Sequence, residues 1–190
     1  MKIAILYGSV RSDRQGIKSA KFFYNKLAER GHDAVIVEPK EYPLDFLDKM
    51  HKEYPEGKAP ENMEKIHKIL DESDGFVIVS GEYNHSIPAA LKNMLDHFQT
   101  EYYFKPSAIN SYSAGTFGGV RVAVHLRAVL SELGMPSIPS LFPVSKIQDA
   151  FDDDGNALDK AYERRIGRFL DEFEWYLRAY KKEREISTPY

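Results

Sequence analysis

Short apolar runs alternate with helical patterns along the 190 residues. Lys2–Tyr7 is an apolar run that stops at Gly8-Ser9 and reads as a first strand. Ile17, Ala20, Tyr24, Leu27 and Ala28 then share one helical face, with Gly31 as a natural stop. Asp33–Val37 predicts a second strand, ended by Pro39. Met63, Ile66, Ile69 and Leu70 share a face of a helix over residues 62–73. Phe76-Val77-Ile78-Val79 has no polar alternation, which is the pattern of a strand buried on both sides. Behind it comes a helix from Pro88 to Phe98, then a weaker strand over residues 107–112. Val122, Leu126, Val129, Leu130 and Leu133 are in helical register before Gly134. The run from Ser137 to Val144 is interrupted by Pro139 and Pro143, which places it at a sheet edge. A long amphipathic helix from about Asp159 to Lys182 closes the pattern.

Strands that alternate with helices predict a parallel sheet covered on both faces, because parallel neighbours need crossover connections. With right-handed crossovers, the common five-strand arrangement is 2-1-3-4-5, with ligands at the switch between strands 1 and 3. One domain over residues 1–183 and a mobile tail over 184–190 are expected. Residues 39–60, with several aromatics and prolines, are expected to be functional or interface-forming.

Three loops rich in hydrogen-bond donors meet at that switch point. The first, residues 8–16, offers the hydroxyls of Ser9 and Ser12, the side chains of Arg11, Arg14 and Gln15, and the start of a helix at Gly16 and Ile17. Such a loop suits one phosphate. Having neither GxxxxGK[ST] nor GxGxxG, it is not a triphosphate or dinucleotide fingerprint. The second loop, residues 80–86, presents Gly81, Glu82, Tyr83, Asn84 and His85. The third, 113–119, has glycines at 115, 118 and 119 that permit close approach of backbone. A planar polycyclic ring carrying one phosphate fits all three, and flavin mononucleotide (FMN) is the usual ligand of that description.

Composition narrows the rest. The net charge of −3 argues against a nucleic-acid surface built on bulk positive charge. The absence of cysteine excludes a disulfide, a catalytic thiolate and cysteine-based metal sites. No apolar run has membrane-spanning length, and the N-terminal run is too short for a secretion signal, so a cytoplasmic location is expected.

GSVR after the first strand, EYNHSIPAALKNMLDHF after the third and SAGTFGGVRVAVHLRAVL after the fourth resemble the motifs of NAD(P)H-dependent FMN reductases. This is a flavodoxin-like family that includes quinone, azo-dye and chromate reductases. The resemblance covers roughly residues 2–139. It implies a flavodoxin-like three-layer α/β/α fold and FMN whose phosphate meets Ser9, Arg11 and the helix start at Gln15, Gly16 and Ile17. The ring would lie against Gly81, Glu82, Tyr83 and Asn84 on one side and Ser113, Gly115, Thr116 and Gly118 on the other. It also implies a homodimer or homotetramer, NAD(P)H as co-substrate, and a small-molecule acceptor: a quinone, azo compound, free flavin or metal oxyanion. Two positions depart from many relatives: Gly81 stands where proline is frequent, and Gln15-Gly16-Ile17 where serine or asparagine is frequent.

Hydride chemistry at a flavin needs no dedicated acid or base from the protein, so no catalytic side chain is expected. His85 and Tyr103 are the candidate substrate contacts, and Tyr103 would serve by walling a neighbouring subunit's flavin. Glu82 has two readings: a contact to the ring, or a carboxylate held by nearby amides. Lys92, Asn93, Asp96 and His97 read as a dimer face, and Arg121 and Arg127 as aids to a dinucleotide phosphate or as ordinary helix arginines. A non-catalytic flavodoxin-type electron carrier and a flavin-binding regulatory protein are the alternative functions.

Overall fold

The middle strand explains the architecture. In the computed structural model, which describes all residues from 1 to 190, Gly75–Gly81 (β3) is buried along its whole length. It pairs in parallel with Lys2–Tyr7 (β1) on one side and Ser107–Tyr112 (β4) on the other. Asp33–Val37 (β2) and Ser137–Val144 (β5) form the edges, giving the order β2-β1-β3-β4-β5. The sheet and its order are those expected from the chain pattern.

Both faces are covered, which is why β3 can be apolar throughout. Gly16–Glu29 (α1) and Lys160–Arg184 (α6) pack on one face, around Phe22, Phe23, Phe142, Phe169 and Phe173. Glu61–Glu72 (α2), Ala89–Asp96 (α3) and Val120–Glu132 (α4) pack on the other, around Ile66, Leu91, Phe98, Tyr102 and Leu126. A short helix, Ile147–Ala150 (α5), follows β5. No helix is long and apolar enough to cross a membrane.

The two prolines of β5 sit where the ladder can tolerate them. The register slips between the Ser107–Ser137 and Ile109–Leu141 pairs, so the strand is irregular at Pro139. Arg127 serves this edge, donating to Ser137 Oγ at 2.9 Å and to the Ile138 carbonyl at 3.1 Å. That commitment removes it as a phosphate ligand. Residues 39–60 are pinned through α3: Asn93 accepts from the Leu47 amide at 3.0 Å and donates to the Asp45 carbonyl at 2.9 Å. The buried His97 offers its carbonyl to the His51 amide at 2.8 Å. Asn93 and His97, expected on a dimer face, are therefore used inside the chain.

The tail, expected to be mobile, folds back so that the Tyr190 ring lies 5.4 Å from that of Tyr103 and 5.0 Å from that of Phe104. Nearby, Lys105 is buried and donates to the carbonyls of Leu70 and Asp71 at the end of α2, at 2.9 and 2.8 Å. Burial pushes its ammonium pKa down to about 8. Below that value the amine is charged in both folded and unfolded chains. Between about pH 8 and 10.5 the unfolded chain holds the proton more tightly, so this group's contribution to stability rises with pH. In urea unfolding from about pH 7 to about pH 10, the stability of the wild type relative to Lys105→Met is expected to increase; a constant difference would contradict this titration.

Candidate functional site

The three donor-rich loops do converge. A cleft of about 240 Å³ at the carboxyl ends of β1, β3 and β4 is lined by Ser9, Arg11, Arg14, Gln15 and Gly16 from the first loop, by Gly81, Glu82 and Tyr83 from the second, and by Tyr112, Ser113 and Ala114 from the third. Asp13, Ile147 and Gln148 complete it. A larger cleft, of about 470 Å³, lies between residues 43–49 and the start of α2. That cleft contains no strand end, so size alone does not mark the site.

In the first loop the backbone prepares for an anion. Gln15 is the N-cap of α1, yet no side chain caps the helix; its amide instead donates to Asp13 Oδ1 at 2.7 Å. The first-turn N–H groups of a helix lack intrahelical acceptors, and here they face the cleft end of the molecule. The two arginines divide the work. Arg14 forms a two-pronged ion pair with the nearly buried Glu38, with Nη2 to Oε1 at 2.8 Å, and its guanidinium lies 5.5 Å from the Tyr7 ring centre. Arg11 is exposed and has no hydrogen-bond or ion-pair partner among the contacts of this chain. The charge available to an incoming anion is therefore that of Arg11, a correction to the expectation that both arginines serve.

The second loop is a tight turn. The Tyr83 amide donates to the Ser86 carbonyl and the Ser86 amide to that of Tyr83, both at 3.0 Å. Asn84 and His85 between them have φ of 49° and 67°, the conformation of a type I′ turn. Both are exposed at its tip and neither lines the cleft. Tyr83 Oη and Ser9 Oγ stand 3.2 Å apart, joining this loop to the first.

Glu82 resolves in favour of its amide-bound reading. Its carboxylate accepts from the Arg121 and Val122 amides at 3.0 and 3.3 Å and from Arg121 Nη1 at 3.3 Å. These are the second and third amides of α4, whose own N-cap is Gly119. Glycine is required there: φ is 71° and a Cβ would lie 2.7 Å from the Tyr112 carbonyl oxygen. Gly119 has no side chain to cap the helix, and Glu82 does so from the loop after β3. Glu82→Ala is expected to cost about 1–2 kcal/mol in chemical denaturation; unchanged stability would show that the cap contributes nothing.

The third loop contributes less than expected. Ser113 lines the cleft, but Gly115, Thr116 and Gly118 do not. The carbonyls of Gly115 and Thr116 accept from the Lys146 amide at 3.0 Å and Ser145 Oγ at 2.7 Å, and that of Gly118 accepts from Ser111 Oγ at 2.8 Å. The first two bind the loop to the segment after β5, and the third binds it back to β4. Ile17 is also absent from the lining; its side chain packs on the core, leaving only its helical amide. Tyr103 lies at the other end of the sheet, before the start of β4, with its ring 2.7 Å from where a Gly134 Cβ would stand. It shares no wall of this chain's cleft, because the turn holding it enters β4 where the cleft forms at the strand's exit.

Tyr112 and Tyr7, last residues of β4 and β1, are the members sequence reasoning missed. The Tyr112 ring fills the space between the first two loops: a Cβ on Gly16 would lie 2.1 Å from its Cζ, and one on Gly81 2.9 Å from its Cε2. Burial, reinforced by the neighbouring Tyr7 phenol, holds Tyr112 well above the usual tyrosine range. Burial likewise raises Tyr7, so both are neutral O–H groups near neutral pH. Tyr7 Oη is buried and has no partner of hydrogen-bond geometry, although Tyr112 and Ser9 stand close enough to influence its titration.

Residues 1–149 match the family described as NADPH-dependent FMN reductase. The chain belongs to that family. It is accordingly an FMN-dependent oxidoreductase with NAD(P)H as electron donor. Among its relatives, a 2-hydroxy-1,4-benzoquinone reductase of Burkholderia sp is 26% identical over 189 residues, 94% of this chain and 97% of that one. A quinone reductase of Pseudomonas putida is 29% identical over 178 residues, 90% and 91% of the two chains. In fold, this reductase is similar to FerB, a flavoenzyme NAD(P)H:(acceptor) oxidoreductase from Paracoccus denitrificans, with a TM-score of 0.71 at 23% identity over 92% of this chain and 98% of that one. The residues of the cleft fit the family's cofactor. A helix start without a side-chain cap, an unpaired arginine and an orphaned phenol beneath the floor are unmet capacities of the kind a bound phosphate and heterocycle use.

Proposed function

We propose that FMN lies in the strand-end cleft, with its phosphate at the first turn of α1. Ser9 Oγ, the Arg11 guanidinium, the Gln15 side chain and the amides of Gly16 and Ile17 would hold that phosphate. The flavin ring would lie along Gly81, Glu82 and Tyr83 on the β3 side and Ser113 on the β4 side, with Asn84 at the exposed turn tip beyond it. The observation that carries this reading is the opening of an uncapped helix start into the same cleft as the β3 and β4 loops. Held there, FMN would supply the hydride and electron-transfer chemistry between a nicotinamide and the acceptor. The protein's part is to anchor the phosphate, fix the ring between two turns and keep water from its inner edge with Tyr112, a neutral donor at neutral pH that is backed by the buried Tyr7.

A quinone is the proposed acceptor class, supported by the names of the two relatives described above, each of which is similar to at least 90% of this chain. An azo compound, free flavin and a metal oxyanion are the competitors. His85, exposed at the turn tip, is the side chain best placed to meet an acceptor arriving from solvent. Mixing purified holoprotein anaerobically with NADH or NADPH should bleach the flavin absorbance, and each acceptor should restore it at its own rate. Failure of both nicotinamides to bleach it would overturn the enzyme reading.

The same proposal includes a homodimer or a pair of dimers, in the cytoplasm where nicotinamide nucleotides are supplied. A mostly apolar cleft lined by Val10, Tyr42, Leu44, Phe46, Ala90 and Met94 runs beside α3. Phe46 at 87% exposure is the side chain that a second copy would cover. Light scattering should give a multimer that Phe46→Lys weakens; a monomeric wild type would contradict it.

A further inference from the structure

On the face covered by α2 and α3, three distant segments bring two imidazoles and a carboxylate together. His51 comes from the single turn of 3₁₀ helix at His51–Glu53, His67 from α2, and Glu101 from the turn Thr100–Tyr102 that precedes β4. One ligand atom from each lies within 4.8 Å of the other two. His67 Nδ1 is 2.8 Å and His51 Nδ1 3.4 Å from the same atom, Glu101 Oε1. The two rings stack at 3.8 Å with 12° between their planes.

The surroundings are those of a held ligand set. Glu101 is 3% exposed, and its second oxygen accepts from the Gln99 amide at 2.9 Å and Thr100 Oγ1 at 3.4 Å, which fixes the carboxylate plane. His51 has a carboxylate behind it: Nε2 lies 3.3 Å from Glu64 Oε2, and Glu64 Oε1 is itself fixed by the Ala59 amide at 2.9 Å. A carboxylate on the far nitrogen of a histidine is the usual outer partner of a metal-binding imidazole, since it fixes the ring and its tautomer. A hydrogen-bonded His–Glu pair would use one imidazole; here two converge on one oxygen.

We infer that His51, His67 and Glu101 form a binding site for one divalent transition-metal ion of the zinc type, with water as fourth ligand. Two nitrogens and a carboxylate oxygen match the preferences of zinc and its neighbours. Tetrahedral bonds of about 2.0–2.1 Å place ligand atoms roughly 3.3–3.4 Å apart. The His51–Glu101 separation already has that value, while the His67–Glu101 separation must open by roughly half an ångström. Parallel rings do not aim both lone pairs at one point, so one ring must turn. His67, with 34% of its side chain exposed, is the one with room to do so, and its side faces the solvent that supplies the fourth ligand. The ion would tie residues 39–60 to α2 and to the entry of β4, a structural role independent of the flavin.

The test uses full-length holoprotein stripped of metal with a chelator, then titrated with Zn²⁺ by calorimetry and, separately, with Co²⁺ by visible absorption. The expected result is one ion per chain, a higher thermal midpoint with metal, intense d–d bands with Co²⁺, and an unchanged flavin spectrum. His67→Ala, a partly exposed change on a helix, should weaken binding by at least about tenfold. Glu101→Gln should act in the same direction, and if that buried variant fails to fold, His67→Ala still decides. No saturable binding at one ion per chain, or the same affinity in His67→Ala, would overturn the site and leave a hydrogen-bonded polar cluster.

Discussion

Arg11→Ala should weaken FMN binding by roughly ten- to a hundredfold, about 1.5–3 kcal/mol, the range of a charge-assisted contact to phosphate. The expectation is specific to Arg11 because its neighbour is already engaged. Arg14 is two-pronged to Glu38 and lies by the Tyr7 ring, so Arg14→Ala removes the partner of a nearly buried carboxylate and should lower stability before it lowers flavin affinity. Affinity from FMN fluorescence quenching and stability from urea unfolding separate the two. If Arg14→Ala loses FMN as strongly as Arg11→Ala while remaining as stable as wild type, the division of labour between the arginines is wrong.

Gly16→Ala should be the most damaging small change in the cleft. Its Cβ would stand 2.1 Å from Tyr112 Cζ and 2.3 Å from Tyr112 Oη. The ring is a wall of the cleft and is nearly buried, so it has nowhere to move without opening the space between the first two loops. Overpacking of this kind costs about 1–3 kcal/mol of stability, and the displaced ring would enter the volume assigned to FMN. Gly115→Ala is the matched control. A Cβ there meets nothing within 4 Å, so it should leave thermal midpoint and FMN affinity close to wild type. Equal behaviour of the two variants would mean that Tyr112 does not shape the site.

The fold was legible because β3 is apolar without alternation and helical patterns separate the strands; parallel order then follows from crossover geometry. Which loops meet was legible for the same reason. Their internal commitments were not. Nothing in the order of residues says that Glu82 caps α4, since that follows from Gly119 being unable to carry a side chain beside the Tyr112 backbone. Nor does sequence tell Arg11 from Arg14; the distinction is made by Glu38 at the end of β2, brought alongside only when β2 pairs with β1. Tyr7 and Tyr112 were overlooked because a tyrosine closing a strand reads as strand. The available signal was positional: both are the last residues before a donor-rich loop. Tyr103 was named from an aromatic run alone, and its place before β4 puts it at the far end of the sheet from this chain's own cleft.

The cofactor is proposed to lie at one location, the cleft at the exits of β1, β3 and β4. A crystal structure of the FMN complex tests this most directly, through the position of the phosphorus atom. It is expected within hydrogen-bonding reach of Ser9 Oγ and the Gly16 amide, with the ring beside Tyr83 and Ser113. FMN found instead in the larger cleft between residues 43–49 and α2 would contradict the assignment, as would FMN whose phosphate lies away from the start of α1.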